Sequence, residues 1–469
     1  MHGDRDRESK VTEHMQSEPT KTDRRTLSLL KFASRAGTAI GIIVLVFVLA
    51  VVLFSDPLAN WFIKPRVVEA FAHAYPAYSI RLSAMNYSVF RNRFGFDFVE
   101  FRAVDSTFSG NVGPISVSGI SWLHLLWGGS LAATDFAKSV VLVHDIVLTF
   151  PPSHYELRCK RLSVSARDSE ILVEALKVQP PGDDEQFFAG SKFRNNRYRL
   201  AVPQAKVMGL ACLELLQGKN YRAHFVELHD AALDILLNKD KPDSRDTSGL
   251  LMPNEILSSI KGNLQVDRLN ITNGQLQYAE RFAVGAKPAI VTFDSIQVSA
   301  EGIANHGPRG AAIVIHAQTQ FVKAGTMKLN ITIPVASRDC SLQYSGSLSA
   351  MDLKALNSFL EVSDHMRIKS GVLEEATYEI NVVSGHASGT VRGIYRDLTL
   401  AAIDKGSGSE NGISDRITSF IANTFTIRKN NVPGSMKIGV VDYMQVRDDP
   451  FFQFDWFALR TGVRNVLGL

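Results

Sequence analysis

The 469-residue sequence contains only three cysteines, Cys159, Cys212 and Cys340, widely separated and in no CxxC or metal-ligand spacing. That excludes the common zinc and dithiol motifs. Burial as small apolar side chains is the expected role of these thiols, with a Cys159–Cys212 bridge left open should the compartment be oxidising. Also missing are HExxH, GxSxG, a Walker-type phosphate loop and a GxGxxG following a strand. With no such signature, the sequence assigns no catalytic, cofactor-binding or metal-ligating residue, and a non-enzymatic protein is expected. Charge of one sign is lacking as well. Lys and Arg number 51 against 47 Asp and Glu, a net of +4 spread along the chain, so no basic field marks a nucleic-acid partner.

What the chain does have is one long apolar run. Residues 36–54, AGTAIGIIVLVFVLAVVLF, carry no charge. A helix needs about 20 mostly apolar residues to cross a bilayer core, so this run reads as a transmembrane helix. Its centre is Ile42, Ile43, Val44, Leu45, Val46, Phe47, Val48 and Leu49. The segment before it holds Lys21, Arg24, Arg25, Lys31 and Arg35, whereas Lys64 and Arg66 follow. The more basic flank stays in the cytoplasm. Residues 1–35 are therefore expected inside, disordered over much of their polar length, and the rest of the chain outside. An uncleaved anchor fits better than a signal peptide, whose apolar core is shorter and whose leader is rarely so long. Residues 55–75 read as a juxtamembrane helix kinked at Pro65, with Trp61 and Phe62 at headgroup level.

After Pro76 the texture becomes short runs of Val, Ile, Phe, Tyr and Thr alternating with polar residues, as in Phe94–Phe98, Val291–Val298 and Ala312–His316. Alternation of period two predicts half-buried antiparallel strands. Helical patterns are few: Pro253–Ile260, Met351–Leu360, Ser414–Phe425 and Phe451–Leu467. The last presents a broad aromatic side, with Phe451, Phe454, Leu459 and Val463 widened by Phe452, Trp456 and Phe457. Such a face can cap the protein's own sheet, lie on a membrane or dock a partner; Phe452, Trp456 and Phe457 are the candidate interfacial residues.

An internal repeat runs through the first half. Val117, Gly119, Leu123, Leu125-Leu126 and Gly128 recur as Val207, Gly209, Leu213, Leu215-Leu216 and Gly218. His144-Asp145 and His229-Asp230 follow in the two copies. A repeated His-Asp pair invites an acid–base or metal reading, but neighbours along a strand point to opposite faces. Strand-edge residues of a duplicated unit are the simpler expectation. The acids Asp183-Asp184-Glu185 and Asp448-Asp449 read as solvated loops.

The anchor, the repeat, the segment Gly262–Tyr278 and the closing patterns Ser345–Asn357, Lys369–Gly371, Gly393–Leu398, Arg447–Asp449 and Phe451–Gly462 resemble the AsmA-like family of bacterial envelope proteins. That family is related in architecture to the bridge-like lipid-transfer proteins. The resemblance implies a mainly β protein: an inner-membrane anchor, then an elongated, curved, groove-like antiparallel sheet facing the periplasm. On this reading residues 76–250 form an N-terminal β region, 251–447 a C-terminal β region and 448–469 an amphipathic closing helix. The implied partners are phospholipid or another acyl-chain lipid, the membrane, and other envelope proteins. The implied role is envelope lipid homeostasis or lipid transfer, in which burial of each CH2 contributes about 0.8 kcal/mol. The alternative is a structural scaffold or assembly factor whose β core is filled.

Overall fold

The computed structural model describes residues 45–46, 55–120, 133–216, 220–242, 252–260, 262–308, 310–335, 339–403, 427–446 and 451–468. The apolar run 36–54 lies outside these residues except for Leu45 and Val46, which are helical and exposed. Among the described residues no helix is long and apolar enough to cross a membrane. The expected helix Ser414–Phe425 and the pair Asp448-Asp449 also lie outside the described residues.

The chain from Ser55 is helical in three pieces: α1 (Ser55–Leu58), a π-turn (Ala59–Ile63) and α2 (Lys64–Ala74). Pro65 has no N–H and its ring crowds the carbonyl four residues back, at Trp61. The widened π-turn ahead of it absorbs that misfit.

Strands then dominate. In the first half they are β1 (Tyr78–Leu82), β2 (Met85–Ser88), β3 (Arg93–Phe96), β4 (Val99–Ala103), β5 (Ser109–Val112), β6 (Ile115–Ser118), β7 (Val140–Phe150), β8 (Tyr155–Ser165), β9 (Glu170–Gln179), β10 (Asn196–Met208), β11 (Asn220–His229) and β12 (Ala232–Asn238). The second half has β13 (Asn263–Arg281), β14 (Ala289–Ala304), β15 (Ala312–Phe321), β16 (Gly325–Pro334), β17 (Leu342–Leu348), β18 (Met351–Asp352), β19 (Met366–Val383), β20 (His386–Ala402) and β21 (Ile438–Met444). All belong to one sheet. Short helices α3 (Asp184–Ala189), α4 (Cys212–Leu216), α5 (Pro253–Ser259) and α6 (Asn357–Ser363) interrupt it, and α7 (Phe451–Leu467) closes the chain.

The pairing follows chain order. β1 and β2 act as one interrupted strand against β4 and β3, which pair in turn with β5 and β6; these last two share β7. From β7 to β10 each strand is antiparallel to the next. β10 then spans β11 and β12. The expectation of a wholly antiparallel sheet needs correction here. β11 and β12 pair with β13 in parallel, Asn220 opposite Asn263 and Asn238 opposite Arg281. A parallel neighbour requires a crossover, and the segment between β12 and β13, which includes α5, supplies it. Beyond β13 the sheet is antiparallel again to β21.

Both outer strands of this sheet are covered. Asn60 and Asp56 bond to the backbone of β2, and α7 packs on β21. Unpaired strand edges invite edge-to-edge association, so the two helical ends have a clear structural use.

Candidate functional site

One apolar face runs across the whole sheet. Directly opposed residues of paired strands share a face, so the register traces rows across it. One row begins Met85, Phe96, Ile115, Val143, Leu162 and Val173. It continues through Ala205, Leu228, Ile271, Val298 and Ala317. It ends with Leu329, Gly346, Tyr378, Val391 and Gly439. Tyr378 is its single polar-tipped member. A second row passes Ile80, Phe101, Gly110, Leu148 and Leu157, then Val178, Leu200, Leu233, Leu276, Phe293 and Phe321. The opposite face is polar along its rows: Lys206, Glu227, Asn270, Ser299, His316 and Asn330 are successive partners.

The apolar face is creased. Along an ordinary strand, residues two apart share a face. Here the face slips once, with a shared spacing of three, between β1 and β2, β3 and β4, and β5 and β6, and within each of β7 to β10: Leu82/Met85, Phe96/Val99, Val112/Ile115, Val143/Ile146, Leu162/Cys159, Val173/Leu176 and Ala205/Val202. The slips lie at one level, because each pair faces the next across the register. Left-handed residues occupy the slip in several strands: Asp145 at φ 48°, Ala175 at 53°, Asp230 at 54° and Asn273 at 55°. Ser83 stitches the first break, its Oγ accepting the Asp97 and Phe98 N–H groups at 2.9 and 3.1 Å. Residues on both sides of the slip are buried: Leu82, Met85, Phe96, Val99, Val143, Cys159, Val202 and Ala205. Farther from it, Leu157, Val164, Ile171, Val178 and Leu200 are only half-buried.

The repeated His-Asp pairs belong to this crease. Gly113 N–H donates to the His144 carbonyl at 3.0 Å, where β7 changes partner from β6 to β5. Asp230 sits where β11 gives way to β12, its Oδ1 accepting from Asn273 Nδ2 at 2.6 Å. Four strand steps separate β7 from β11, on the order of 19 Å, so the two pairs do not converge. Gly119 and Gly209, equivalent in the repeat, end β6 and β10 at φ 74° and 65°, a conformation natural to glycine.

At the C-terminal end of the sheet the apolar face is filled. Phe454 and Ala458, four residues apart on α7, are buried against β17, β19, β20 and β21 with Tyr344, Ile380, Val382, Val391 and Val441, and Val466 is buried with Leu373, Tyr395 and Leu398. Close approach is possible because glycines meet: a Cβ on Gly439 would lie 2.0 Å from the Gly462 carbonyl oxygen. Trp456 is exposed on α7, Phe457 is half-buried with its ring 5.9 Å from that of Tyr443, and the Phe452 side chain lies outside the described residues. Trp61 and Phe62 are exposed on the π-turn.

A buried polar group sits under α7. The Asp455 carboxyl has a fully covered Oδ1. Burial pushes it up to about 6, opposed in part by the Tyr344 hydroxyl facing it. Burial likewise raises Tyr344 and Tyr378, each further raised by Asp455, and lifts Cys340 to about 11. All three cysteines are free thiols.

On the polar side, the acids expected in a solvated loop are in fact structural. Asp183 caps α3, accepting the Gln186 N–H at 2.8 Å. Asp184 pairs with Arg197 at 2.9 Å and Arg199 at 2.7 Å, and Glu185 with Arg281 at 2.7 Å. Arg197 and Arg281 are buried. Nothing local in the sequence announces these partners, which come from distant strands. Among the described residues, no three His, Cys, Asp or Glu side chains are grouped to hold a metal ion. No family model and no curated protein matches the chain.

Proposed function

We propose that this is an inner-membrane-anchored, non-enzymatic lipid-binding protein of the AsmA-like kind, facing the periplasm and serving envelope lipid homeostasis. The observation that carries the reading is the unbroken apolar face. A creased sheet with buried apolar residues along the crease forms a trough floor, since a backbone irregularity repeated at one level bends each strand in turn. Acyl chains lie along rows such as Leu162–Val173–Ala205–Leu228, while headgroups stay in water. The half-buried apolar residues of β7–β11 supply the contact, at about 0.8 kcal/mol per CH2 removed from water. The filled C-terminal end, under α7, is the part that favours a scaffold reading. In our reading it closes the trough at that end.

Photo-crosslinking tests the assignment. With p-benzoylphenylalanine at Leu162, the full chain in native membranes should yield lipid adducts by mass spectrometry. At Ser163, on the other face, it should not. Equal absence of lipid at both positions would defeat the proposal and leave the scaffold.

A further inference from the structure

The geometry points to a second membrane contact: the β2–β3 hairpin tip, with Phe90 at its apex, dips into the lipid surface beside the anchor. The inference rests on reading residues 36–54 as that anchor. The helices after it run antiparallel to the first strand. Asp56 accepts the Tyr87 N–H at 2.6 Å, Asn60 clasps Met85 at both backbone groups, and at the far end of α2 the Tyr75 carbonyl accepts the Tyr78 N–H at 3.0 Å. Moving back along the helix toward the anchor therefore means moving along β2 toward Phe90.

The order of contacts sets the level of the tip. Ser55, the first residue after the apolar run, directly precedes Asp56 in α1. Phe90 lies three positions past Tyr87, in the turn closed by the Asn92 N–H on the Val89 carbonyl at 3.3 Å. The tip therefore lies on the anchor side of the Asp56–Tyr87 bond, at the level of the headgroup layer.

The tip has the chemistry for that position. Phe90 is 84% exposed, the highest among the exposed large apolar side chains described. Arg91 and Arg93 follow it, both exposed, and Ser88–Arg93 holds no acidic residue. An aromatic wedge beside cations suits an interface of anionic phospholipid. Two hydrogen bonds brace the turn. Tyr87 Oη bonds Asn92 Oδ1 at 3.2 Å, and Asn92 Nδ2 donates to the Ile120 carbonyl at 3.0 Å.

The test places an environment-sensitive fluorophore on cysteines introduced one at a time into the full chain, in a Cys212→Ser background whose remaining Cys159 and Cys340 are buried, reconstituted into nanodiscs of phosphatidylglycerol and brominated phosphatidylcholine. The positions are Leu45→Cys in the anchor, Phe90→Cys, and Val104→Cys, which is 71% exposed at the opposite end of the strands. Loss of emission to bromine at 45 and 90, with none at 104, is the expected result. Quenching at 45 alone would overturn the tip contact and spare the anchor. No quenching at 45 would bring down both.

Discussion

The side-chain amide of Asn60 replaces a missing strand for Met85: its Nδ2 donates to the Met85 carbonyl at 2.5 Å and its Oδ1 accepts the Met85 N–H at 2.8 Å. Both backbone groups of an edge residue are thereby closed to outside partners. Asn60→Leu keeps the volume but leaves the two groups unsatisfied, at about 1–3 kcal/mol. Thermal unfolding should show that loss. Light scattering should rise in parallel, because a freed edge recruits another copy. A variant with unchanged melting and scattering would show that the clasp is ornamental.

Ala175 offers a sharper test of the crease. Glycine inside a strand normally destabilises by about 0.5–1 kcal/mol relative to alanine. Ala175 sits at φ 53°, where an L side chain costs roughly 1–2 kcal/mol. Ala175→Gly should therefore stabilise the protein, and Ala175→Val should destabilise it. Chemical denaturation midpoints decide the matter, and a lower midpoint for the glycine variant would mean that the slip is not where the register puts it.

The same slip explains how much of the fold can be read from the sequence. Strand content is visible, and so are Pro253–Ser259 and Phe451–Leu467, because each keeps a single period over its length. Val140–Leu148 reads as an almost continuous apolar run because its alternation changes phase at His144-Asp145, which sequence alone presents as a tempting chemical pair. The parallel join of β12 to β13 leaves no local trace, since register across a crossover is set by distant partners. Asp184 reads as solvated until Arg197 and Arg199 arrive from β10. Phe90 escapes a reading of the sequence because a lone aromatic in a turn carries no periodic signal; only its place beyond the Asp56–Tyr87 contact gives it meaning.

Asp455 should make stability fall as pH rises. Its folded value, about 6, lies above the ordinary 3.8. Its contribution is complete below the unfolded value and is lost between about pH 4 and 6, as the unfolded chain ionises first. At neutral pH the penalty is on the order of 3 kcal/mol. Asp455→Asn should raise the melting temperature at pH 7.5 and leave it nearly unchanged at pH 4. A parallel shift at both pH values would point to packing of α7 instead of ionisation.

Lipid binding should depend on the apolar row and ignore the polar one. Leu157 and Leu200 flank Val178 in the same row on half-buried positions, whereas Arg158 and Lys177 are paired neighbours on the other face. Leu157→Gln with Leu200→Gln removes apolar contact from the trough while leaving the ladder intact. At about 1.5 kcal/mol or more for each side chain, affinity for a fluorescent phospholipid should drop on the order of 100-fold. Arg158→Gln with Lys177→Gln should leave it within about twofold, since exposed charges contribute little. Circular dichroism of both pairs guards against loss of fold. If the two pairs lower affinity equally, the acyl chains do not lie on the creased face.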